Sequence, residues 1–367
     1  MPFLDLAAQQ DEIADEVLPV WRAQFESAGF IGGPEVSAFE REFADYIGVE
    51  HVVGVGNGTD ALELAYRAVG LGPGDEVIIP ANTFIATAEA ATRIGAVPVL
   101  VDVDEHLLMD VTAVESAITP RTKAVVPVNL YGQTAAVRDL TPIAEKHGLV
   151  IVEDAAQSQG AESSDGRAGS LGRIAATSFY PGKNLGAAGD AGAVLTNDSD
   201  AAEFVRSYAA HGSTVKYVHD RAGANTRLDA VQAPVLRAKL RRLDKWNEAR
   251  RTAADRYATL LADVPGIQLP QTRPGNEDVW HLYVVQVEER DRILADLIAA
   301  GIGAAIHYPF PLHLTPAYEH LGHRRGEFPR AEAAAERILS LPMFPHITLE
   351  QQEAVADALR PATGGPR

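Results

Sequence analysis

The sequence predicts an α/β protein built around a mostly parallel β-sheet, and three observations support this prediction. Between about residues 50 and 195, short apolar runs alternate with segments of helical periodicity. These short runs are apolar along their whole length, which is typical of parallel strands buried on both faces. From about residue 246, a break rich in proline and glycine leads into a second set of strands and helices. We therefore expect a large domain over residues 1–245 and a smaller C-terminal α/β domain over residues 246–367.

The expected elements follow one another in a regular order. In the first region strands are expected in HVVGVGNG, EVIIP, VPVLVDV, KAVVPVNLYG and LVIVEDA. Helices are expected between them in TDALELAYRAVGL, ATAEAATRIGA and LTPIAEKHG. Two more strands are expected in AATSFYP and AGDAGAVLT, and a connecting helix pair in RLDAVQAPVLRAKLRRLDKWNEARRTAADRYATLLADV. In the last region LYVVQVEE is expected as a strand, and RDRILADLIAAG, RAEAAAERILS and LEQQEAVADALR as helices.

Composition and charge narrow the classes of function. The 367 residues carry a formal net charge of -18, which argues against a general affinity for nucleic acid or anionic membranes. The chain has no cysteine, no apolar run of membrane-spanning length, and no signal-peptide pattern in its first residues. We therefore expect a cytoplasmic protein in which any anionic ligand is held by local groups.

The first candidate site is the segment GVGNGTDAL, which reads as a strand, a glycine turn and the start of a helix. Free backbone N–H groups and the positive end of the helix dipole would bind a phosphate there, with the hydroxyl of Thr59 as a further donor. The dinucleotide-binding pattern G-x-G-x-x-G fails at Thr59, and the P-loop pattern fails because Asn184 follows Lys183. A tight turn without a ligand is the alternative.

The second candidate site is the end of the strand in LVIVEDAAQSQGA. Asp154 there could cap a helix, bind a metal or face a buried cation, and a helix cap is the commonest of these roles. A metal is disfavoured because no histidine or further carboxylate follows at ligand spacing. A carboxylate that faces a heteroaromatic nitrogen would keep that nitrogen protonated.

The third candidate site is SFYPGKNLGAAGDAGAV, in which Lys183 stands among aromatic residues, glycines and alanines. Burial lowers the pKa of a lysine, so this residue could react as a free amine, whereas a solvated loop lysine is the alternative. A phosphate-binding turn, a carboxylate for a ring nitrogen and an apolar lysine are together what pyridoxal phosphate requires. Phe84 in ANTFIATA could stack on its ring, with core packing as the alternative.

Taken in order, these motifs resemble those of the DegT/StrS-type sugar aminotransferases, a branch of the fold type I pyridoxal phosphate enzymes related to aspartate aminotransferase. The resemblance covers nearly the whole chain and is carried by FLDL, FIGGPEVSAFEREFADYIG, GNGTDAL, VEDAAQSQGA, SFYPGKNLGAAGDAG, GANTRLDAVQA and HYPFPLHLTPAY. It implies the fold type I architecture and pyridoxal 5'-phosphate as cofactor, with pyridoxamine 5'-phosphate formed in the half-reaction.

The resemblance also implies a role for each candidate residue. Lys183 would bind the cofactor as an imine and move protons as general base and acid, and Asp154 would pair with the pyridine nitrogen. The other implied cofactor contacts are Gln157 near the ring hydroxyl, Phe84 on the ring, and Gly58, Thr59 and Ser178 at the phosphate. Asn225 would reach the phosphate of the partner subunit, which implies a homodimer with shared active sites.

One position departs from a frequent form of the family pattern. Many relatives have a histidine where PVNLYG has Asn129. A neutral amide can form hydrogen bonds but cannot carry a proton charge, so no role that needs a charged imidazole is expected at this position. The implied cofactor contacts are unaffected.

The segment IHYPFPLHLTPAY carries the candidate substrate contacts, which are His307, Tyr308, His313 and Tyr318. Zinc is disfavoured because no cysteine or acid joins the two histidines, and loop packing is the alternative. Within the family, HYP-x-P-x-H most resembles enzymes that aminate C3 of nucleotide-linked 3-keto-6-deoxyhexoses in deoxyaminosugar biosynthesis. The resemblance thus implies a nucleotide-linked, dTDP-type ketosugar as acceptor and L-glutamate as donor, with 2-oxoglutarate as by-product.

Several alternatives stay open at this point. On the same cofactor, the enzyme could be a C4 aminotransferase of a dTDP-4-keto-6-deoxyhexose, a cyclitol aminotransferase or a dehydratase, although related dehydratases replace the cofactor lysine with histidine. The hypothesis of an NAD-dependent sugar oxidoreductase is supported only by the imperfect glycine turn. A non-catalytic regulator is disfavoured because every implied cofactor position is filled. The sugar configuration at C4, the nucleotide, the pathway and any assembly beyond a dimer are left open.

Overall fold

The computed structural model describes residues 1–363. Its strands are β1 (His51–Val55), β2 (Glu76–Pro80), β3 (Val97–Val101), β4 (Thr122–Val125), β5 (Val150–Asp154), β6 (Glu162–Ser163), β7 (Gly166–Arg167), β8 (Ile174–Ser178), β9 (Gly192–Thr196), β10 (Ser213–Val215), β11 (Val218–His219), β12 (Ile267–Gln268), β13 (Asn276–Glu277), β14 (Tyr283–Val287) and β15 (Ile338–Leu341). Its α-helices are α1 (Leu6–Asp11), α2 (Ala14–Ser27), α3 (Pro34–Ile47), α4 (Gly58–Ala68), α5 (Ala86–Arg93), α6 (Val111–Val114), α7 (Val137–His147), α8 (Ser199–Ala209), α9 (Gln232–Leu240), α10 (Leu243–Leu261), α11 (Arg290–Ala299), α12 (Pro329–Arg337) and α13 (Leu349–Thr363).

The central element is a seven-stranded sheet in the order β1-β9-β8-β5-β4-β2-β3. The neighbours from β8 to β3 pair in parallel, whereas β9 pairs antiparallel with both β8 and β1. The mostly parallel sheet flanked by helices that the sequence predicts is therefore confirmed. The reversal at β9 follows from its connection to β8, because residues 179–191 form a loop without the crossover helix that parallel strands usually need.

Both faces of this sheet are buried, which explains the continuous apolar strands in the sequence. In β2 the side chains of Val77 and Ile79 belong to the apolar cluster beneath α4, α5 and α8, whereas Ile78 belongs to the cluster beneath α7. Side chains of a strand alternate between the two faces, so each residue of EVIIP meets a buried layer. A third cluster packs α3 and α9 against β1, β8 and β9.

The last part of the chain forms a second sheet with its own apolar cluster. Strands β12, β14 and β15 pair antiparallel and are packed by α10, α11 and α13. The sequence expectation of a helix through RAEAAAERILS is wrong at its end, because α12 ends at Arg337 and residues 338–341 pair with β14 as a strand. The division into domains at residues 245 and 246 stays a prediction, and this position lies inside α10.

The carboxyl ends of β2, β5 and β8 open towards one edge of the central sheet, where α4 and α5 begin. This is the edge at which open α/β sheets bind ligands. Within residues 1–363, no helix combines the length and the apolar character needed to cross a membrane.

Candidate active site

A cavity of about 730 Å³ lies at the carboxyl edge of the central sheet. Its walls come from the N-terminal segment, the start of α4, the ends of β2, β5 and β8, and two later loops. Nine of the twelve residues singled out in the sequence line it: Gly58, Thr59, Phe84, Asp154, Gln157, Ser178, Lys183, His307 and Tyr308. The fold thus brings together residues that are up to 250 positions apart in the chain.

Lys183 lies in the tight loop between β8 and β9. Its backbone N–H donates to the carbonyl oxygen of Tyr180 at 2.8 Å, which closes the turn. Gly186 permits this turn, since a Cβ at that position would lie 2.3 Å from the carbonyl oxygen of Pro181. Burial lowers the pKa of the Lys183 amine to about 8, and the opposing charge of Asp154 limits the fall. About a tenth of this amine is therefore unprotonated at pH 7, and about half at pH 8.

Asp154 ends β5 and is 5% exposed. One carboxylate oxygen, Oδ2, accepts a hydrogen bond from the hydroxyl of Thr87 at 2.7 Å, and Oδ1 accepts from the N–H of Ala156 at 3.2 Å. Burial raises the pKa of Asp154, while these two hydrogen bonds and the Lys183 ammonium oppose the rise. The carboxyl group is thus held in place and would be stabilised as an anion by a cation placed in the cavity.

The hydroxyl groups behind Asp154 were not singled out from the sequence. Thr87 lies on α5, and its Oγ1 is 2.9 Å from Oγ1 of Thr83, which lines the cavity. The only signal was the spacing of two threonines four residues apart directly after a buried strand, in ANTFIATA. That pattern is too common to indicate a site by itself.

Gln157 connects two walls of the cavity. Its side-chain oxygen accepts from the N–H of Tyr131 at 2.8 Å, and its Nε2 donates to the hydroxyl of Tyr308 at 3.1 Å. The ring of Tyr308 lies 5.5 Å from that of Phe84. Phe84 is 50% exposed, so core packing does not explain it, and its ring is available to a ligand in the cavity.

The start of α4 forms a site suited to an anion. Asn57 caps the helix by accepting a hydrogen bond from the N–H of Asp60 at 2.8 Å. A Cβ at Gly58 would lie 2.6 Å from Cβ of Ser178, so only glycine lets this turn pack onto the end of β8. The first N–H groups of α4 and the hydroxyl of Ser178 therefore converge at the positive end of a helix dipole.

Three residues singled out in the sequence lie outside this cavity. Asn225 is exposed, and its side-chain oxygen accepts from Arg227 at 2.9 Å. The two expected substrate contacts His313 and Tyr318 are instead buried packing residues. Nε2 of His313 lies 2.9 Å from Glu332, and Tyr318 packs in the apolar cluster beneath α5. The loop-packing alternative accounts for these two side chains.

Asn129 and Glu153 have a structural role beside the cavity. Asn129 is fully buried, its Nδ2 donates to Glu153 at 3.0 Å, and its Oδ1 accepts from the N–H of Ala135 at 2.7 Å. Both polar ends of the amide are therefore used within the fold. In the described part of the chain, no group of three or more His, Asp or Glu side chains is arranged to hold a metal.

Two histidines in the cavity wall are held neutral. Burial lowers the pKa of His307 to about 4, with the Lys183 ammonium adding to the effect. Burial also brings the pKa of His281 well below its usual value, and Lys183 and Arg250 act in the same direction. His281 was missed in the sequence, where it stands directly before the buried strand LYVVQVEE.

Comparisons with known proteins identify one protein family over nearly the whole chain. The family described as "DegT/DnrJ/EryC1/StrS aminotransferase family" matches residues 11–360. The chain is 50% identical over 362 residues to "Erythromycin biosynthesis sensory transduction protein EryC1" of Saccharopolyspora erythraea, which covers 98% of this chain and 99% of that protein. It is 48% identical over 361 residues to "dTDP-3-amino-3,4,6-trideoxy-alpha-D-glucose transaminase" of Streptomyces venezuelae. This match covers 98% of this chain and 95% of that protein.

Solved structures that resemble this chain over its full length include aminotransferase relatives of the same kind. The crystal structure of S. venezuelae DesV in complex with a ketimine intermediate has a TM-score of 0.97 and 47% identity, and it covers 100% of this chain and 99% of that one. The crystal structure of ntda from Bacillus subtilis with bound cofactor PMP has a TM-score of 0.91 and 32% identity. This match covers 100% of this chain and 85% of that one.

Proposed function

The chain belongs to the DegT/DnrJ/EryC1/StrS aminotransferase family, and from this premise we propose that it aminates C3 of a nucleotide-linked 3-keto-6-deoxyhexose. The proposed cofactor is pyridoxal 5'-phosphate, and the proposed amino donor is L-glutamate. The proposed nucleotide is dTDP, and the cytoplasm is the proposed location.

The observation that carries this proposal is the meeting of three groups in one cavity. An amine at Lys183, a carboxylate at Asp154 and the N-terminus of α4 lie around the same space. A phosphorylated pyridine aldehyde needs all three, for its aldehyde, its ring nitrogen and its phosphate. The likeness to a solved structure with bound PMP supports the same cofactor.

The residues of the cavity fit this cofactor. When bound, pyridoxal phosphate supplies a carbonyl that can carry an amino group and a ring that can accept electrons. Asp154 would keep a proton on the ring nitrogen, and Phe84 would cover one face of the ring. The phosphate would be held by Gly58, Thr59 and Ser178, and Gln157 would lie near the ring hydroxyl.

Lys183 is the proposed catalytic base and acid. With a pKa lowered to about 8, its amine can both take up and return a proton near neutral pH. In the first half-reaction Nζ would take the proton from the α-carbon of L-glutamate. In the second half-reaction the same nitrogen would deliver a proton to C3 of the sugar.

The choice of substrate rests on the relatives. The S. venezuelae protein is named as the transaminase for a dTDP-linked 3-amino sugar, which supports C3 rather than C4 as the position of amination. A regulatory role is the second candidate, because the S. erythraea relative is named a sensory transduction protein. Lys183 and Asp154 favour catalysis, since a regulator has no use for a low-pKa amine beside a buried carboxylate.

A second copy of the chain is the proposed partner. Asn225 is exposed and lies outside the cavity of its own chain. We assign it to the phosphate site of the other subunit, so that each active site draws on both chains. The proposal is therefore a homodimer with shared active sites.

The experiment starts with the purified protein and pyridoxal phosphate. Borohydride reduction followed by peptide mass spectrometry should find the label on Lys183, and Lys183→Arg should take up no label at this peptide. Products should then be identified by mass spectrometry and NMR after incubation with L-glutamate and a panel of 3-keto and 4-keto dTDP- and UDP-hexoses. We expect 3-amino products from 6-deoxy sugars. Amination at C4 alone, or a label on another lysine, would contradict the proposal.

A further inference from the structure

His281 is held in the wall of the cavity by backbone hydrogen bonds of the residues on either side of it. The N–H of Val279 donates to the carbonyl oxygen of Gly132 at 3.0 Å, and the N–H of Leu282 donates to that of Tyr131 at 3.2 Å. Gly132 has a φ of 110°, and a Cβ there would lie 2.8 Å from the backbone nitrogen of His281. The glycine therefore lets the segment around His281 lie directly on the loop that carries Tyr131.

The hydrogen bonds around Asn184 determine which nitrogen of His281 carries the proton. Nδ2 of Asn184 is 2.9 Å from the carbonyl oxygen of Val279, which can only accept, so this atom of the amide must be the NH₂ group. The same Nδ2 donates to Oδ1 of Asn247 at 2.9 Å. Asn247 is oriented in turn, because its Nδ2 donates to the carbonyl oxygen of Gln159 at 3.0 Å.

The side-chain oxygen of Asn184 is therefore the atom that faces His281, at 3.3 Å from Nδ1. Since this oxygen can only accept, Nδ1 of His281 must carry the proton. In a neutral ring the other nitrogen, Nε2, then has a free lone pair. Within residues 1–363 no group donates a hydrogen bond to Nε2, while the ring lines the cavity that contains Lys183.

The neutral state of the ring is supported by its surroundings. His281 is 6% exposed, and the lowered pKa described above disfavours a second proton on the ring. His281 therefore presents an acceptor to the cavity. A ligand hydroxyl or N–H would be bound there, whereas a carbonyl oxygen or a phosphate oxygen would be repelled.

We propose that Nε2 of His281 accepts a hydrogen bond from a hydroxyl or amide N–H on a sugar carbon bonded to C3. This inference rests on the proposed function, because it takes C3 as the reacting carbon. His281 lines the same cavity as Lys183, and the Lys183 charge acts on its ring, so the ring lies near the reacting amine. A substituent on C2 or C4 is two bonds from C3 and is the nearest donor that a 3-keto sugar offers.

The first test is a cycle of enzyme variants and substrate analogues. The holoenzyme and His281→Phe are compared on a nucleotide-linked 3-keto sugar and on its 2-deoxy and 4-deoxy analogues, with L-glutamate as donor. We expect the wild type to lose about 10- to 100-fold in kcat/KM for one of the two analogues, as for the loss of one buried hydrogen bond. His281→Phe should lose a similar factor on the parent sugar and should no longer distinguish that analogue.

A matched control separates this effect from the substitution itself. His320→Phe makes the same exchange at an exposed position outside the cavity, and it should keep the wild-type discrimination. Equal discrimination in the wild type and in His281→Phe would overturn the inference. A change in KM for L-glutamate alone would also overturn it, since His281 would then serve the donor. The proposed function fails in a different way, by the absence of turnover with every 3-keto sugar.

A second test does not depend on turnover or on the stability of the variant. In the ¹⁵N-labelled full chain, the ring nitrogens of His281 should give the shifts of a protonated Nδ1 and an unprotonated Nε2 across pH 6 to 8. The signal is assigned by its absence in His281→Phe or in His281→Gln. A protonated Nε2 would overturn the inference even if the substrate tests were positive.

Discussion

Lys183 and Asp154 share one cavity, and burial moves their pKa values in opposite directions. The pKa of Lys183 falls to about 8, and that of Asp154 rises. In both residues the cause is the loss of water around the charged form, which the attraction between the two charges only partly offsets. The amine is thereby available for proton transfer, and the carboxyl group is available for a cationic partner.

The first prediction concerns the protonation of Lys183 in the cofactor-free enzyme. Only the free amine reacts with an acylating reagent, so the rate of modification should rise about tenfold per pH unit below the pKa. For Lys183 the rate should level off at about pH 8. Peptide mass spectrometry after brief acetylation at a series of pH values measures this rate.

The control is Nα-acetyl-lysine under the same conditions, for which the plateau is expected near pH 10.4. A plateau for Lys183 at the same pH as the free amino acid would contradict the prediction. Such a result would mean that water reaches the amine and that the cavity does not lower its pKa.

At the scale of elements, β5 and the loop before β8 are joined through the side chain of Glu153. This side chain is fully buried, and its two oxygens accept four hydrogen bonds, two at each oxygen. Three donors are backbone N–H groups of the loop, at Gly169, Leu171 and Gly172, and the fourth is Asn129. Glu153 therefore anchors the loop, while its neighbour Asp154 faces the cavity.

The second prediction is that Glu153→Gln destabilises the protein by about 3 kcal/mol, although it changes only one atom. Either orientation of the amide places its NH₂ group against two donors, which then lose their acceptor. Urea unfolding followed by circular dichroism measures the change in the free energy of unfolding. The matched control is Glu203→Gln on the exposed face of α8, for which we expect a change within about 0.5 kcal/mol. A loss below about 1 kcal/mol for Glu153→Gln would show that the loop holds without this anchor.

At the scale of the whole molecule, the fold type I architecture implied by the sequence is confirmed, with a structural relative at a TM-score of 0.97. The active-site cavity takes its walls from segments that begin at Phe3 and end at Tyr308. Asn225 is the one expected cofactor contact that a single chain does not bring to this cavity. The proposed dimer accounts for this exception.

The third prediction tests shared active sites by complementation. Lys183→Ala and Asn225→Ala are each expected to have low activity when expressed alone. In a mixed dimer, one site combines the intact Lys183 of one chain with the intact Asn225 of the other. Random assembly should then restore about a quarter of the wild-type activity, because half of the dimers are mixed and each has one complete site.

The measurement uses two different affinity tags, so that mixed dimers are isolated and assayed directly, and the isolated mixed dimers should have about half of the wild-type activity. Each single variant, purified with the same tags, is the control. Activity no greater than the sum of the two variants would contradict a shared site. A monomer in sedimentation analysis would contradict it as well.

The sequence by itself determined the order of the buried strands and the residues at their ends. Hydrophobic periodicity is a local property, so EVIIP and LVIVEDA could be recognised as strands, and Asp154 as the end of one. The motifs around Gly58 and Lys183 are contiguous, so their chemistry could be inferred from the order of residues alone. The end of α12 could not, because Ile338–Leu341 becomes a strand only through pairing with β14.

Only the tertiary structure decided which of these residues share a space. It buried His313 beside Glu332 and placed Tyr318 in the apolar cluster beneath α5, although the sequence grouped both with His307 and Tyr308. It also brought His281 to the cavity and assigned its ring proton, through the side-chain amides of Asn184 and Asn247. The physical reason is that burial and hydrogen-bond direction depend on the packing of segments remote in sequence, which local patterns do not record.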